Sequence, residues 1–160
     1  MPTLVLVRHA QAAYNYPDRA RPLTEAGRDQ AARLGVTLAR EIGAFSVAVS
    51  SDAQRARETF AAILARVDTD DSWHDRSIYD GGEEEVIELA RTFTVEAGLI
   101  VGHEPVISYA GYILAHQEDR GAADRGVPTA TALVLSFEGA WEDLAPGTCA
   151  VRVFYTPPTR

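Results

Sequence analysis

The feature that most limits the fold is a run of four aliphatic residues at positions 4–7 (LVLV). The run shows no alternation of polar and apolar residues, so both faces of the strand that it predicts are expected to be buried. A strand of this kind is typical of a parallel sheet with helices on its two sides. The run therefore favours an α/β fold built around a parallel sheet.

The next segments repeat the order of strand and helix. Thr24 predicts the N-cap of a helix that ends near Gly43, because apolar residues recur between them at helical spacing. Residues 45–50 predict the second strand. Ser51 or Asp52 is then expected to cap a second helix. This alternation predicts β-α-β connections.

The second half of the chain continues the pattern less regularly. Residues 68–82 are polar and end in two glycines, so they predict a loop, and a helix is expected over 83–93. Residues 98–101 predict a third strand, and Pro105 suits the first turn of the helix after it. Two more strands, expected to pair antiparallel, lie at 132–137 and 150–155.

Length and charge limit the kind of protein. A chain of 160 residues predicts a single domain over residues 1–160. The net charge is −8 and every basic residue is arginine, so we expect neither nucleic acid nor a membrane as a partner. Cys149 is expected to be buried in the core. With no apolar segment long enough for a signal peptide or a membrane span, the sequence predicts a cytoplasmic protein, and a monomer is expected.

Four residues that bind anions follow the predicted strands. Arg8 and His9 follow the first strand, Arg55 follows the second, and His103 follows the third. The carboxyl ends of parallel strands form the ligand-binding edge of an open α/β sheet, so we expect these side chains to meet in one cleft.

The chemistry of this set favours a phosphoryl group. Two arginines bind phosphoryl oxygens, and a histidine is able to attack phosphorus and form a covalent intermediate. No carboxylate or thiolate cluster stands beside them, so a metal site is not expected. Each residue also has a structural interpretation: Arg55 suits an ion pair with Glu58, and a histidine at a strand end is often only hydrogen-bonded. For His74 and His116 we prefer that structural interpretation.

Four segments resemble motifs of the histidine phosphatase superfamily, which is also called the phosphoglycerate mutase-like superfamily. Residues 6–10 (LVRHA) resemble its Arg-His-Gly signature. Three later segments resemble motifs of its small bacterial branch, which includes phosphohistidine phosphatases of the SixA type: 21–24 (RPLT) with Gly27, 50–59 (SSDAQRARET) and 101–105 (VGHEP). Four motifs in order and at similar spacing make the resemblance specific.

The resemblance implies a role for each matching residue. His9 is expected to be the nucleophile that becomes phosphorylated. Arg8 and Arg55 are expected to bind the phosphoryl oxygens. His103 is expected to complete the pocket and to stabilise the group in transfer.

The resemblance also implies a fold and secondary contacts. The fold is a three-layer α/β/α sandwich around a mainly parallel sheet, and no metal or other cofactor is implied. Gln11 and Arg21 lie beside the motifs and are expected to contact the substrate. Arg21 suits equally well a surface residue that holds its loop in place.

Two departures bear on the substrate. Ala10 stands where many members have glycine, which narrows the pocket slightly. Many members also have a general acid after the second helix, and here the candidates are Glu83 and Glu84, with Asp80 and Glu85 nearby. The glutamates also suit the first turn of a helix. A weak or absent acid favours a phosphohistidine substrate, because imidazole is a better leaving group than an alkoxide.

The sequence therefore predicts a metal-independent phosphatase that acts on phosphohistidine in a signalling or phosphocarrier protein. The chain has no large insertion between Arg55 and His103 to cap the site, so we expect an open cleft that admits a protein. One alternative is a general phosphomonoesterase for small phosphate esters or phosphotyrosine. Another is a phosphate-binding module without turnover, against which the retained His9 argues.

Overall fold

A six-stranded sheet forms the centre of the computed structural model, which describes residues 1–94 and 96–159. Its strands are β1 (Thr3–Arg8), β2 (Ala44–Ser51), β3 (Asp68–Asp75), β4 (Ala97–Gly102), β5 (Ala132–Ser136) and β6 (Ala150–Phe154). The helices of the described residues are α1 (Glu25–Glu41), α2 (Gln54–Leu64), α3 (Arg76–Asp80), α4 (Glu83–Arg91) and α5 (Val106–Leu114). A 3-10 turn at Asp18–Ala20 interrupts the loop between β1 and α1.

The sheet is mainly parallel. Its strand order is β3-β2-β4-β1-β5-β6, and the pairs of β2 with β3, β2 with β4 and β1 with β4 are parallel. Strand β5 pairs antiparallel with both β1 and β6, as predicted for the last two strands. Because β1 lies between β4 and β5, its backbone is hydrogen-bonded on both sides.

The two faces of the sheet pack against different helices. Leu4 and Leu6 of β1 belong to a core cluster that includes buried side chains of α4 and α5. Val5 and Val7 point to the other face, where they join a cluster with buried side chains of α1 and α2. All four residues are fully buried. The three-layer α/β/α arrangement and the doubly buried first strand are confirmed.

Helix α1 begins as the sequence predicts, whereas α2 does not. The Thr24 hydroxyl accepts a hydrogen bond from Gly27 N at 3.0 Å, which is the expected N-cap. The N-cap of α2 is Ala53, so the expectation of Ser51 or Asp52 was wrong. Ser51 is the last residue of β2, and its hydroxyl accepts a hydrogen bond from Ala53 N, ahead of the first helical residue.

The predicted loop over 68–82 was also wrong. It contains β3, an edge strand that pairs only with β2, and the short helix α3, whose N-cap is Asp75. Strand β3 is polar and mostly exposed, so it lacks the apolar pattern by which strands are recognised. Its backbone hydrogen bonds to β2 hold it in the sheet without a buried face. The helix predicted over 83–93 ends at Arg91.

Cys149 is buried, as expected. Among the described residues, no helix has the length and apolar character needed to cross a membrane.

Candidate active site

The residues expected to bind the phosphoryl group follow three adjacent strands. Strand β4 lies between β1 and β2, so Arg8 and His9, Arg55, and His103 all lie at the carboxyl edge of one part of the sheet. The backbone N–H of His9 donates to Gly102 O at 3.1 Å, and this hydrogen bond joins the end of β1 to the end of β4. The structure brings the four residues together.

His9 is held as a neutral imidazole with one nitrogen free of a proton. Its Nδ1 lies 2.8 Å from the carbonyl oxygen of Ala10, which accepts only, so Nδ1 carries the proton. His9 is only 7% exposed, and this burial, with the electrostatic effect of His103, Arg55 and Arg8, lowers its pKa to about 3. The lone pair of Nε2 is therefore available at neutral pH, as a nucleophile requires.

The Arg55 guanidinium points at this lone pair and at Asp18. Its Nε donates to His9 Nε2 at 3.3 Å, Nη1 donates to Asp18 O at 2.7 Å, and Nη2 lies 3.3 Å from the Asp18 carboxylate. The alternative ion pair with Glu58 is not formed, because Glu58 accepts from Gln54 instead. Asp18 is a single carboxylate beside Arg55 that the sequence did not indicate.

Arg8 is held by the segment that precedes β5. Its Nη1 donates to Val127 O at 2.8 Å. The Val127 N–H in turn donates to the Glu104 carboxylate at 3.1 Å, and Ser108 N donates to the same carboxylate at 2.9 Å. Nε of Arg8 is buried and has no hydrogen-bond partner among the described residues. Because a buried unpaired donor is costly, this atom indicates a place for an anionic ligand.

His103 packs against His9 with 5.3 Å between ring centroids. Its Nε2 lies 2.7 Å from the Ser51 hydroxyl, whereas its Nδ1 is buried and finds no partner in the described part of the chain. Burial, followed by the charge of Arg55, lowers the pKa of His103 to about 4. The ring is neutral at pH 7 and has one unused nitrogen.

Asp18 and Tyr79 cover the site and were not predicted. The Tyr79 hydroxyl donates to the Asp18 carboxylate at 2.7 Å, and its ring packs edge-on against His103 with 5.7 Å between ring centroids. This hydrogen bond, with the charge of Arg55, lowers the pKa of Asp18. The same hydrogen bond, with burial and the charge of Asp18, raises the pKa of Tyr79. Because the two residues lie against Arg55 and His103, the site is more covered than the expected open cleft.

Neither residue carried a strong sequence signal. Asp18 lies in the polar segment after β1, and only its negative charge indicated that it could pair with an arginine. Tyr79 lies in α3, inside the segment that was interpreted as a loop.

Gln11 and Arg21, which were expected to contact the substrate, form hydrogen bonds with other residues in this structure. The Gln11 amide oxygen accepts from the Thr24 hydroxyl at 2.8 Å. Arg21 donates through Nε to Ala13 O at 2.7 Å and pairs with Asp18 at 3.5 Å, as a residue that holds its loop would. Their contact with a substrate stays a prediction.

The candidate acids begin α4. The side chains of Glu83 and Glu84 form no hydrogen bond or ion pair with any described residue, and the Glu85 carboxylate accepts from Gly82 N at 3.0 Å at the helix start. The structure therefore does not join Glu83 or Glu84 to His9 or Arg55, and an acid role for either stays a prediction.

The other two histidines lie in structural surroundings. The His74 ring packs against Phe60, and Nδ1 of His116 lies 3.1 Å from Gly147 O. Across residues 1–94 and 96–159, no three or more His, Cys, Asp or Glu side chains are grouped so as to hold a metal ion.

Comparison with known proteins identifies the family. The model of the histidine phosphatase superfamily (branch 1) matches residues 4–96, which is more than half of the chain. The chain belongs to the histidine phosphatase superfamily. The residues matched include Arg8, His9 and Arg55. Family membership confirms the resemblance and the expectation of a phosphatase.

Three proteins similar to this chain each cover more than four-fifths of it. An uncharacterized protein of Mycobacterium tuberculosis is 32% identical over 160 residues, with 94% of this chain and 99% of that protein covered. A solved structure from Nakamurella multipartitia, assigned as a phosphohistidine phosphatase SixA, is 32% identical with a TM-score of 0.84, covering 97% of this chain and 96% of that one. A SixA structure from Agrobacterium tumefaciens, assigned likewise, is 28% identical with a TM-score of 0.74, covering 84% and 91%.

Proposed function

We propose that this histidine phosphatase removes the phosphoryl group from a phosphohistidine on a protein, by way of a phosphorylated His9. The observation that carries the proposal is the fixed protonation state of His9. Nδ1 donates to Ala10 O, so Nε2 carries the lone pair. This lone pair faces the Arg55 guanidinium, whose Nε lies 3.3 Å away. The assignments of the two SixA structures support the same substrate class.

The reaction has two displacements at phosphorus. In the first, the Nε2 lone pair of His9 forms a bond to phosphorus while the bond from phosphorus to the substrate nitrogen breaks. The other nitrogen of the substrate ring carries a proton in this step, so the electron pair leaves with a neutral imidazole. In the second, a water oxygen attacks phosphorus, the bond to His9 breaks with its electron pair returning to Nε2, and the proton lost by water goes to the released phosphate. The phosphorylated intermediate thus divides one difficult hydrolysis into two easier displacements.

Three hydrogen-bond donors of the site, on Arg8, Arg55 and His103, would stabilise the transferring phosphoryl group. Arg8 contributes the buried Nε that has no partner within the described chain, and His103 contributes its unpaired Nδ1. Arg55, already beside His9 Nε2, would turn donors from Asp18 to the phosphoryl oxygens. Donors that are fixed in a buried site stabilise developing charge without having to reorganise.

The electrostatics around Asp18 favour a P–N bond over a P–O bond. Asp18 is the carboxylate in contact with Arg55, and its lowered pKa keeps it ionised, so it does not supply a proton at neutral pH. A serine or sugar phosphate needs a proton on its leaving oxygen, whereas imidazole leaves more readily. The substrate proposed here is the one that depends least on a general acid.

An open cleft next to the site offers room for the protein part of the substrate. Its volume is about 510 Å³, and its lining includes Glu104, Tyr109, Tyr112 and Arg125. Arg8, His9, Arg55 and His103 do not line the cleft, and Glu104, which directly follows His103 in the chain, connects it to the site. Tyr109 and Tyr112 are 54% and 41% exposed. Tyrosine and arginine are enriched at protein interfaces, so the segment beside the phosphohistidine is expected to lie here.

The experiment is phosphate release in the presence of a chelator. A carrier protein phosphorylated on histidine and an aryl phosphate are compared with the parent protein, with His9→Ala, and with His74→Ala as a matched histidine variant outside the site. We expect release from phosphohistidine that needs His9 and not His74. An acid-labile, base-stable phosphoryl group on the parent protein, lost in His9→Ala, would identify the intermediate.

Each other result selects another function. Strong aryl phosphate turnover that needs Glu83 or Glu84 would indicate a general phosphomonoesterase with a hidden acid. Loss of activity in chelator, restored by a metal ion, would contradict metal-independent chemistry. Phosphate binding with no release from either compound would indicate a binding module.

A further inference from the structure

The Ser51 hydroxyl joins the end of β2 to the second histidine of the site. Ser51 is fully buried. Its oxygen lies 3.2 Å from Ala53 N and 2.7 Å from Nε2 of His103. The first contact is a hydrogen bond that the Ala53 N–H donates, so the serine oxygen is an acceptor there.

Counting protons decides the direction of the second contact. Among the described residues, His103 Nε2 is the one acceptor within hydrogen-bond distance of the Ser51 hydroxyl hydrogen. If the hydroxyl donates, Nε2 is unprotonated and the neutral ring carries its proton on Nδ1. Nδ1 has no partner among the described residues in either arrangement, and if Nε2 donates instead, the Ser51 hydrogen is left unpaired as well. A buried unpaired polar group costs about 1–3 kcal/mol, which favours the first arrangement.

We propose that Ser51 is a positioning residue that holds His103 as the Nδ1–H tautomer, so that the ring's remaining nitrogen meets a phosphoryl oxygen as a hydrogen-bond donor. With Nε2 occupied by Ser51, only Nδ1 is left for a ligand. In the opposite tautomer, an Nδ1 lone pair would repel that oxygen. The hydrogen bond on one ring nitrogen thus sets the chemistry of the other.

The two histidines would then share a tautomer and use opposite nitrogens. Ala10 O holds the proton of His9 on Nδ1 and leaves a lone pair at Nε2 for attack. Ser51 holds the proton of His103 on Nδ1 and leaves that N–H for binding. One ring supplies a nucleophile and the other a donor, although their centroids are 5.3 Å apart. The tautomer assignment stands on geometry alone, whereas its use in catalysis rests on the proposed function.

The first test is the tautomer of His103 in the unmodified protein. Nitrogen-15 NMR at pH 7 distinguishes a protonated from an unprotonated ring nitrogen, and His103→Gln identifies the signals. We expect a protonated Nδ1 and an unprotonated Nε2. A protonated Nε2 overturns the proposal, and this result does not depend on which phosphate compound is the substrate.

The second test changes the serine. Ser51→Ala removes the donor, and Ser51→Cys keeps most of the side-chain volume with a weak donor. Ser50→Ala is the matched control, because Ser50 is equally buried and its hydroxyl donates to Ser51 O instead of to His103. We expect Ser51→Ala to shift the His103 nitrogens toward the Nε2–H tautomer.

Activity is measured on the same variants with whichever phosphate compound the parent protein hydrolyses. We expect kcat/KM to fall about 10- to 100-fold in Ser51→Ala, the size of effect seen when a hydrogen bond that orients a functional histidine is lost. In Ser50→Ala we expect kcat/KM to stay within about twofold of the parent value. Ser51→Cys is expected to lie between them. Unchanged tautomer or unchanged kcat/KM in a folded Ser51→Ala or Ser51→Cys protein overturns the proposal.

Discussion

The Asp18 carboxylate lies 3.3 Å from Nη2 of Arg55, a guanidinium that we propose to bind the phosphoryl oxygens. The Asp18 carbonyl also accepts from Nη1 of the same guanidinium at 2.7 Å. Asp18 is a surface residue with 55% of its side chain exposed, whereas the Arg55 side chain is only 8% exposed. An anion that binds Arg55 must therefore compete with a carboxylate that is easily displaced.

Replacement of Asp18 by alanine is expected to strengthen anion binding. A partly exposed ion pair contributes at most about 1 kcal/mol, so the Kd for inorganic phosphate should fall about fivefold or less. Calorimetric titration measures it. Asp29→Ala is the matched control, because Asp29 pairs with Arg33 on α1 at 2.8 Å instead of with Arg55. Weaker phosphate binding in Asp18→Ala would mean that Asp18 organises Arg55 for the ligand.

The buried histidines predict how ionisation depends on pH. The pKa of His9 is lowered to about 3 and that of His103 to about 4, mainly by burial. Both rings should stay neutral in the folded protein at pH 5.5, whereas in urea they should titrate near 6.5. An NMR titration of the imidazole signals checks this. Titration of both rings near 6.5 in the folded protein would contradict it.

The same shifts predict a loss of stability in acid. Below about pH 6.5 the unfolded chain takes up protons on these histidines that the folded protein excludes, so the free energy of unfolding falls as the pH falls toward 4. Each histidine contributes a slope of up to about 1.4 kcal/mol per pH unit. Urea unfolding at pH 7 and pH 5 measures the slope, and His9→Ala should reduce it. An equal slope in that variant would exclude His9 as a source.

The cleft beside the site predicts a difference between large and small substrates. Tyr109→Ala should raise KM for a phosphohistidine protein several-fold and leave KM for an aryl phosphate unchanged, because only the larger substrate reaches the cleft. Tyr155→Ala is the matched control, since Tyr155 is also exposed and does not line this cleft. An equal rise for both substrates would indicate a general disturbance of the site.

Gly27 predicts a stability effect that reaches the site. A Cβ atom at this position would lie 1.9 Å from the backbone oxygen of Gln11, so the loop after His9 would have to move. Gly27→Ala should lower the free energy of unfolding by about 1–3 kcal/mol and reduce activity. Gly121→Ala is the control, because its added Cβ meets no atom within 4 Å. Urea unfolding that gives both variants the same stability would contradict the expected clash.

The parts of the fold with a clear apolar pattern were predictable from sequence. The aliphatic run at 4–7 correctly indicated a strand with both faces buried, and the motif residues around it were brought together by the strand order. The order itself follows from long-range packing, yet the carboxyl-edge rule was enough to group Arg8, Arg55 and His103.

The missed parts depend on interactions that leave little mark in sequence. Strand β3 is held through its backbone by β2, so its side chains were free to be polar and gave no strand signal. Tyr79 follows that strand and was therefore missed as well. Asp18 reaches Arg55 across 37 positions of the chain, and nothing local to either residue indicates the contact.

Strand β3 also affects whether a second copy of the chain can pair with the free edge of the sheet. It is an outer strand with one side unpaired, and it carries four aspartates, Asp68, Asp70, Asp71 and Asp75. A second copy that extended the sheet through the same strand would place like charges opposite one another, at a cost that only high salt would relieve. We therefore expect the acidic side chains of β3, which give this strand no apolar pattern, to disfavour the pairing of two copies through the free edge.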